Sequence, residues 1–379
     1  MSHKKMNFIP VNEPLLNGNE KKYLCECINT GWISSEGPFV KEFEKKMSES
    51  IDRKYGVAVA NGTAALEIAV QALGIGKGDE VIMPTFTIIS CAMAVTKLGA
   101  IPILVDSDLY TWNMNVEEIE SKITPRTKAI MVVHIYGLPV DMDKILELAR
   151  KYDLKIIEDA AEMHGQTYRG KPCGSFGDIS TFSFYPNKHI TTGEGGMIVT
   201  DDENLAEKCR ELRNLCFKKD VRYVHEEIGY NYRFTNLQAA VGLAQLERLE
   251  EFVERKRAMG AYYTEQFQDL EGVILPKQKT EYADNIYWVY GIVLNKESNV
   301  TNREVVKLLA EEGIGCRTFF WCMHEQPVYT QTGMYQNEKY SNAEFLARKG
   351  FYIPSGLALE KEQMDVVIAK VKKVLSSIK

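Results

Sequence analysis

Between residues 57 and 200, short apolar runs recur at 57–60, 80–83, 101–105, 129–133, 154–158, 179–184 and 197–200. Each is four to six residues long and apolar nearly throughout, the pattern of strands covered on both faces. Between them, apolar residues at spacings of three and four predict helices over 64–73, 89–98, 141–152 and 203–214. Strand and helix in alternation predict an α/β fold with a mainly parallel sheet clothed by helices on both sides. Two helices precede it, one over 18–30 ending near Gly31, the other over 37–50 with Val40, Phe43 and Met47 on one side.

Past the last run the pattern changes. Leu243, Leu246, Leu249 and Val253 continue one helical stripe from 235 to about 267, which predicts a long helix connecting to a second unit. The remainder mixes strand patterns at 287–294 and 315–320 with helical ones at 302–312, 341–349 and 360–377. We expect a large domain over 1–250 and a smaller α+β domain over 251–379, a division in keeping with a chain of 379 residues.

Composition narrows the function classes. At 45% hydrophobic and 26% charged residues the chain reads as an ordinary globular protein. A net charge of −6 offers no basic footprint for nucleic acid or an acidic membrane, so small-molecule partners are favoured. The eight cysteines form no CxxC pair, so no zinc ribbon or dithiol site is suggested, and reduced thiols are expected. Residues 1–8 lack the apolar run of a signal peptide, and no stretch approaches the roughly 18 apolar residues of a membrane span, so a cytoplasmic location is expected.

Four features follow in chain order. Ala60-Asn61-Gly62-Thr63-Ala64-Ala65-Leu66 passes from strand to helix through small residues, a start whose free N–H groups suit a phosphate, although Asn61 and Thr63 also serve as ordinary caps. Glu158-Asp159-Ala160-Ala161-Glu162 ends a buried run in carboxylates, at the strand end where open α/β sheets bind ligands. Ser183 and Lys188 lie in a break between two strands, ahead of Gly193-Glu194-Gly195-Gly196. A loop lysine is ordinarily a solvated charge; one that forms a Schiff base must lose its proton in a partly desolvated setting. Gly229-Tyr230-Asn231-Tyr232-Arg233 supplies an Asn and an Arg that can both reach an anion.

Taken together, these motifs resemble the DegT/DnrJ/EryC1/StrS nucleotide-sugar aminotransferases, and the resemblance runs from Gly31-Trp32-Ile33-Ser34 to Cys322-Met323-His324-Glu325-Gln326-Pro327. It implies a fold type I, aspartate-aminotransferase-like enzyme with pyridoxal 5'-phosphate as cofactor. Phe182-Ser183-Phe184-Tyr185-Pro186-Asn187-Lys188 and Arg317-Thr318-Phe319-Phe320 most resemble the branch that aminates C4 of GDP-4-keto-6-deoxymannose. By this resemblance Lys188 carries the Schiff base and then a proton, Asp159 holds the pyridinium nitrogen, and Glu162 sits near the phenolic oxygen. Gly62, Thr63, Ala64 and Ser183 hold the phosphate, with Asn231 reaching across from the partner of a homodimer. A nucleotide-linked keto sugar and glutamate are the implied substrates; His189, Arg233, Phe320, Trp321 and His324 are the implied substrate contacts, and Lys218, Lys219 and Arg222 are candidates to meet a pyrophosphate.

Two departures stand out. The family more often has an aromatic where Ile88 stands, to stack on the ring, so either Phe86 takes that task or the stacking is lost. His189 adjoins the lysine, and in a related branch of 3-dehydratases a histidine replaces the lysine itself; the presence of Lys188 favours transamination. Another keto sugar or small phosphorylated ketone, and a non-catalytic regulatory role on the same fold, are the alternatives.

Overall fold

The computed structural model describes residues 8–218 and 223–378. Its large sheet is built from β1 (Tyr55–Val59), β2 (Glu80–Pro84), β3 (Ile101–Val105), β4 (Thr127–Val133) and β5 (Lys155–Asp159). After a small hairpin of β6 (Thr167–Tyr168) and β7 (Lys171–Pro172), it is completed by β8 (Ile179–Ser183) and β9 (Gly196–Thr200). The order is β1-β9-β8-β5-β4-β2-β3. Neighbours from β8 to β3 are parallel, and β9 runs antiparallel between β8 and β1. Near-complete burial of β2, β4, β5 and β9 accounts for their unbroken apolar runs.

A second, antiparallel sheet follows, ordered β10-β11-β13-β12, from β10 (Val273–Ile274), β11 (Tyr290–Leu294), β12 (Arg317–Thr318) and β13 (Gly350–Ile353). We propose the domain division near residue 250, where the helix Leu249–Phe267 leaves the large sheet for the second one. One apolar cluster crosses this line, joining Val57, Val81 and Leu104 to Trp288, Phe319 and Leu346. The chain start crosses it too: Ile9 pairs with Ile314 through Ile9 N–H to Gly313 O (2.9 Å) and Gly315 N–H to Ile9 O (2.8 Å).

The expected long helix over 235–267 is two helices, Asn236–Leu246 and Leu249–Phe267. The apolar stripe runs straight through the break, because tertiary contacts make it: Glu247 accepts from Asn19 Nδ2 (2.8 Å) and Tyr23 Oη (2.7 Å), and Arg248 donates to Asn17. The strand expected over 287–294 starts only at Tyr290, since Tyr287 sits at φ 49°, left-handed backbone that no strand accommodates. β3 is the sheet's outer strand, and Tyr335 and Tyr340 donate their hydroxyls to the carbonyls of Pro102 (3.1 Å) and Leu104 (3.2 Å) along its free edge. No helix among the described residues is long and apolar enough to cross a membrane.

Candidate active site

β4, β5 and β8 lie side by side in register, Val133 opposite Asp159 and Asp159 opposite Thr181, so their carboxyl ends open on one crevice. Successive residues of β5 point to opposite faces. Glu158 turns away into the protein, where it accepts from the amides of Phe176 (2.9 Å) and Gly177 (3.0 Å), from Ser180 Oγ (3.1 Å) and from His134 Nε2 (3.1 Å). His134 Nδ1 accepts from Val140 N–H (3.0 Å), so its proton resides on Nε2. Burial pushes the Glu158 pKa up, but these donors outweigh it and the net direction is down.

Asp159 faces the crevice and is 4% exposed. One oxygen accepts from Ala161 N–H (3.1 Å), the other from the thiol of Cys91 (3.3 Å). Its pKa is raised by burial.

After β8 the chain turns, with Lys188 N–H donating to Tyr185 O (2.9 Å), and Trp288 Nε1 from the second sheet's side ties down Asn187 O (2.8 Å). The Lys188 side chain is 10% exposed; its Nζ lies 3.8 Å from Glu162 Oε1 and 3.8 Å from the centre of the Trp288 ring. Burial lowers the Lys188 pKa against the pull of Glu162 and Asp159, and burial raises Glu162 to about 8. Tyr136 N–H donates to the other Glu162 oxygen (2.7 Å) from a left-handed backbone at φ 56°.

The helix Gly62–Ala72 starts on the same crevice, its first turn capped by Asn61 Oδ1, which accepts from Ala64 N–H (2.9 Å). The amides of Gly62 and Thr63 have no acceptor within the helix and are available to an anion. A Cβ on Gly62 would lie 2.8 Å from the Ser183 side chain, so only glycine lets the helix start approach β8 so closely. Thr63 and Ser90 hydroxyls pair at 2.8 Å.

These groups line a cavity of about 610 Å³, together with Ile88 and Phe320. Ile88 is 42% exposed and takes the wall position, whereas Phe86 is fully buried outside it against Tyr136, Phe319 and Phe320. Of the expected substrate contacts, only Phe320 is on this wall. His189 is buried and its Nε2 donates to Ile286 O (3.1 Å). Trp321 lies against Arg303 and Arg348, and Arg233 donates to Asn214 (2.8 Å). His324 bonds Thr85 (2.8 Å) and Glu344 (3.2 Å), and the acid cluster around it already holds a cation, since Arg348 pairs with both Glu325 and Glu344.

Asn231 is exposed, and its backbone bridges to Asn214. Lys218 pairs with Glu211 (3.1 Å), while Lys219 and Arg222 lie outside the described residues. Sequence reasoning missed Trp288, Tyr352 and a buried group on the phosphate side, Glu67, which accepts from Tyr232 Oη (2.7 Å) and pairs with Lys97. A carboxylate inside the apolar run of residues 64–70 was a usable signal for Glu67.

The donor set fits pyridoxal phosphate. A buried carboxylate suits a protonated ring nitrogen, the glycine-lined helix start suits a phosphate, and Thr181 Oγ1 on the same wall is buried without a hydrogen-bond partner among the described residues.

The model of the DegT/DnrJ/EryC1/StrS aminotransferase family matches residues 14–372. The chain is 43% identical over 371 residues to the GDP-perosamine synthase of Escherichia coli O157:H7, covering 98% of this chain and 100% of that one. With the GDP-perosamine synthase of Caulobacter vibrioides it shares 44% over 367 residues, 97% and 98% of the two chains. Among solved structures, a candidate sugar aminotransferase from Streptococcus pneumoniae in its pyridoxal phosphate form superposes with a TM-score of 0.91 at 26% identity, over 98% of this chain and 100% of that one.

Proposed function

Because the chain belongs to the DegT/DnrJ/EryC1/StrS aminotransferase family, and is thereby a pyridoxal phosphate-dependent sugar aminotransferase, we propose that it aminates C4 of GDP-4-keto-6-deoxymannose with glutamate as donor. Support for the nucleotide sugar comes from identities of 38% to 44% with three GDP-perosamine synthases. The reading is carried by one juxtaposition: Lys188, Asp159 and the helix start at Gly62 all line the same cavity.

When bound, pyridoxal phosphate supplies an electron sink for the carbon that loses its proton. Lys188 would hold the cofactor through its amine and would serve as the base and then the acid for the proton that moves during transamination. Asp159, kept from water and braced by Cys91 and the Ala161 amide, would keep a ring nitrogen protonated. The free amides of Gly62 and Thr63 at the helix start, with the Ser183 hydroxyl, would hold the phosphate, Ala64 having its amide capped by Asn61, and Glu162 would stand beside the phenolic oxygen. Ile88 on the cavity wall would offer the cofactor aliphatic surface in place of an aromatic, and Phe320 would border the sugar. His189, buried and bonded to Ile286 O outside the cavity wall, is out of position to replace the lysine, which favours transamination over dehydration.

The partner subunit's Asn231 completes the phosphate shell in a homodimer. The exposure of Asn231 supports this, as do exposed Trp32 and Ile33 on a turn held to the neighbouring segment by Asn236 Nδ2 to Trp32 O (2.7 Å).

The test is incubation with glutamate and a panel of 4-keto nucleotide sugars, with mass spectrometry of the products. We expect the GDP sugar to gain an amine in place of its keto oxygen. Amination of a UDP sugar and not the GDP sugar would overturn the assignment.

A further inference from the structure

Lys188 must be an uncharged amine to form a bond, yet its nearest charged neighbour is a carboxylate 3.8 Å away that favours the ammonium. That carboxylate is held in an unusual way. The turn after β4 puts Tyr136 at φ 56° and Gly137 at φ 108°. A Cβ on Gly137 would come within 2.4 Å of Asn285 Oδ1 and 2.6 Å of Tyr287 N, and Gln166 Nε2 further pins Gly137 O at 2.7 Å. Non-glycine residues hold such a backbone only where the surroundings impose it. The result is that the Tyr136 amide takes Glu162 Oε2 at 2.7 Å and leaves Oε1 turned to Lys188.

Resting on the reading of Lys188 given above, we propose that Glu162 is the proton acceptor of Lys188: Nζ passes one proton to Glu162 Oε1, which holds it while the neutral amine bonds the cofactor. In this step an N–H bond breaks and an O–H bond forms, no electrons are exchanged, and the ammonium and carboxylate become amine and carboxylic acid. Two buried charges vanish together, which removes the desolvation cost that a paired ammonium and carboxylate carry in a dry site. Oε2 accepts the Tyr136 amide whether or not the acid is protonated, so the geometry persists through the transfer.

The other titratable groups facing the pair are poor exchangers near neutral pH. Burial raises Tyr136, Tyr352 and Cys91 far from that range, and burial lowers His164 to about 3 and His189 also. Asp159 faces both groups as well, with its pKa raised by burial and its oxygens taken by Ala161 and Cys91. Glu162, raised by burial to about 8, is the neighbour suited to the exchange.

Glu162→Gln keeps the side-chain shape and an oxygen for the Tyr136 amide but accepts no proton. In the cofactor-loaded full-length protein at pH 7, infrared spectra should show a protonated carboxyl band that shifts on 13C-glutamate labelling and disappears in Glu162→Gln. The rate of cofactor capture by the cofactor-free protein, followed by visible absorbance, should be flat over the neutral range in the wild type, because the coupled pair retains one proton between two macroscopic steps. In Glu162→Gln it should show a single step, falling tenfold per pH unit below it, while Glu162→Asp keeps two. No carboxyl band lost in Glu162→Gln, superimposable pH profiles, or a single step in Glu162→Asp would overturn the proposal while the visible band stands. A wild type that gives no visible band at all would overturn the reading of Lys188 and this proposal with it.

Discussion

In the proposed mechanism Asp159 holds a cationic ring, and its charge there is set by its few immediate donors. Asp159 has two, the Ala161 amide and the Cys91 thiol, and Cys91 is itself placed by Thr87 Oγ1 at 3.5 Å. Asp159→Asn keeps the size and removes the negative charge. We predict that turnover with glutamate falls about 10²–10⁴-fold, the scale of losing a proton-holding group at a reaction centre, and near-normal rates would remove Asp159 from the mechanism. Lys188 and Asp159 were legible in the sequence because strand ends and glycine-rich turns announce where an α/β crevice lies. Trp288 was not, since it comes from a distant segment, and its contact with Lys188 exists only once the two sheets are packed. His189 misled for the opposite reason: adjacency in sequence put it beside the lysine, while the turn sends its ring into the protein.

The same alternation that turns Asp159 to the crevice makes Glu158 a structural anchor for the segment between β7 and β8. It binds the amides of residues 174, 176 and 177 and fixes the loop that leads into β8. Its folded pKa is lowered, so the stability it contributes is present above the ordinary carboxylate pKa of about 4.3 and is lost as pH falls through the folded value. We expect Glu158→Gln to cost about 2–4 kcal/mol at pH 7, because an amide nitrogen cannot accept from those donors, and to flatten the acid limb of stability in urea titrations taken from about pH 5 down to about pH 2, across the ordinary carboxylate pKa. At this scale the sequence pattern was most informative for buried strands and capped helices. It missed the break at Glu247 and Arg248 and the late start of β11 because side-chain contacts and a left-handed residue, rather than apolar period, decide them.

Across the molecule, a buried lysine ties the long helix Leu249–Phe267 to the second sheet. Lys256, 2% exposed on the helix Leu249–Phe267, donates to Trp288 O at 2.8 Å and to Ser355 O. Burial lowers its pKa to about 7. The unfolded chain keeps the proton up to about pH 10.4, so between these values the unfolded state binds more protons and stability rises with pH. We predict that Lys256→Met costs about 1–3 kcal/mol by stranding two buried carbonyls, and that the wild type gains on it steadily from pH 7 to pH 10 in thermal melts. A constant gap would show that Lys256 does not titrate in that window. The outer strand of the large sheet depends on the second half of the chain in another way. The carbonyls of Pro102 and Leu104 on β3 are occupied by Tyr335 and Tyr340, side chains that the second half of the chain lends to the first. Loosening that half uncovers an unpaired strand edge, ready to template pairing with another chain, so aggregation should begin at β3 before the large sheet itself unfolds.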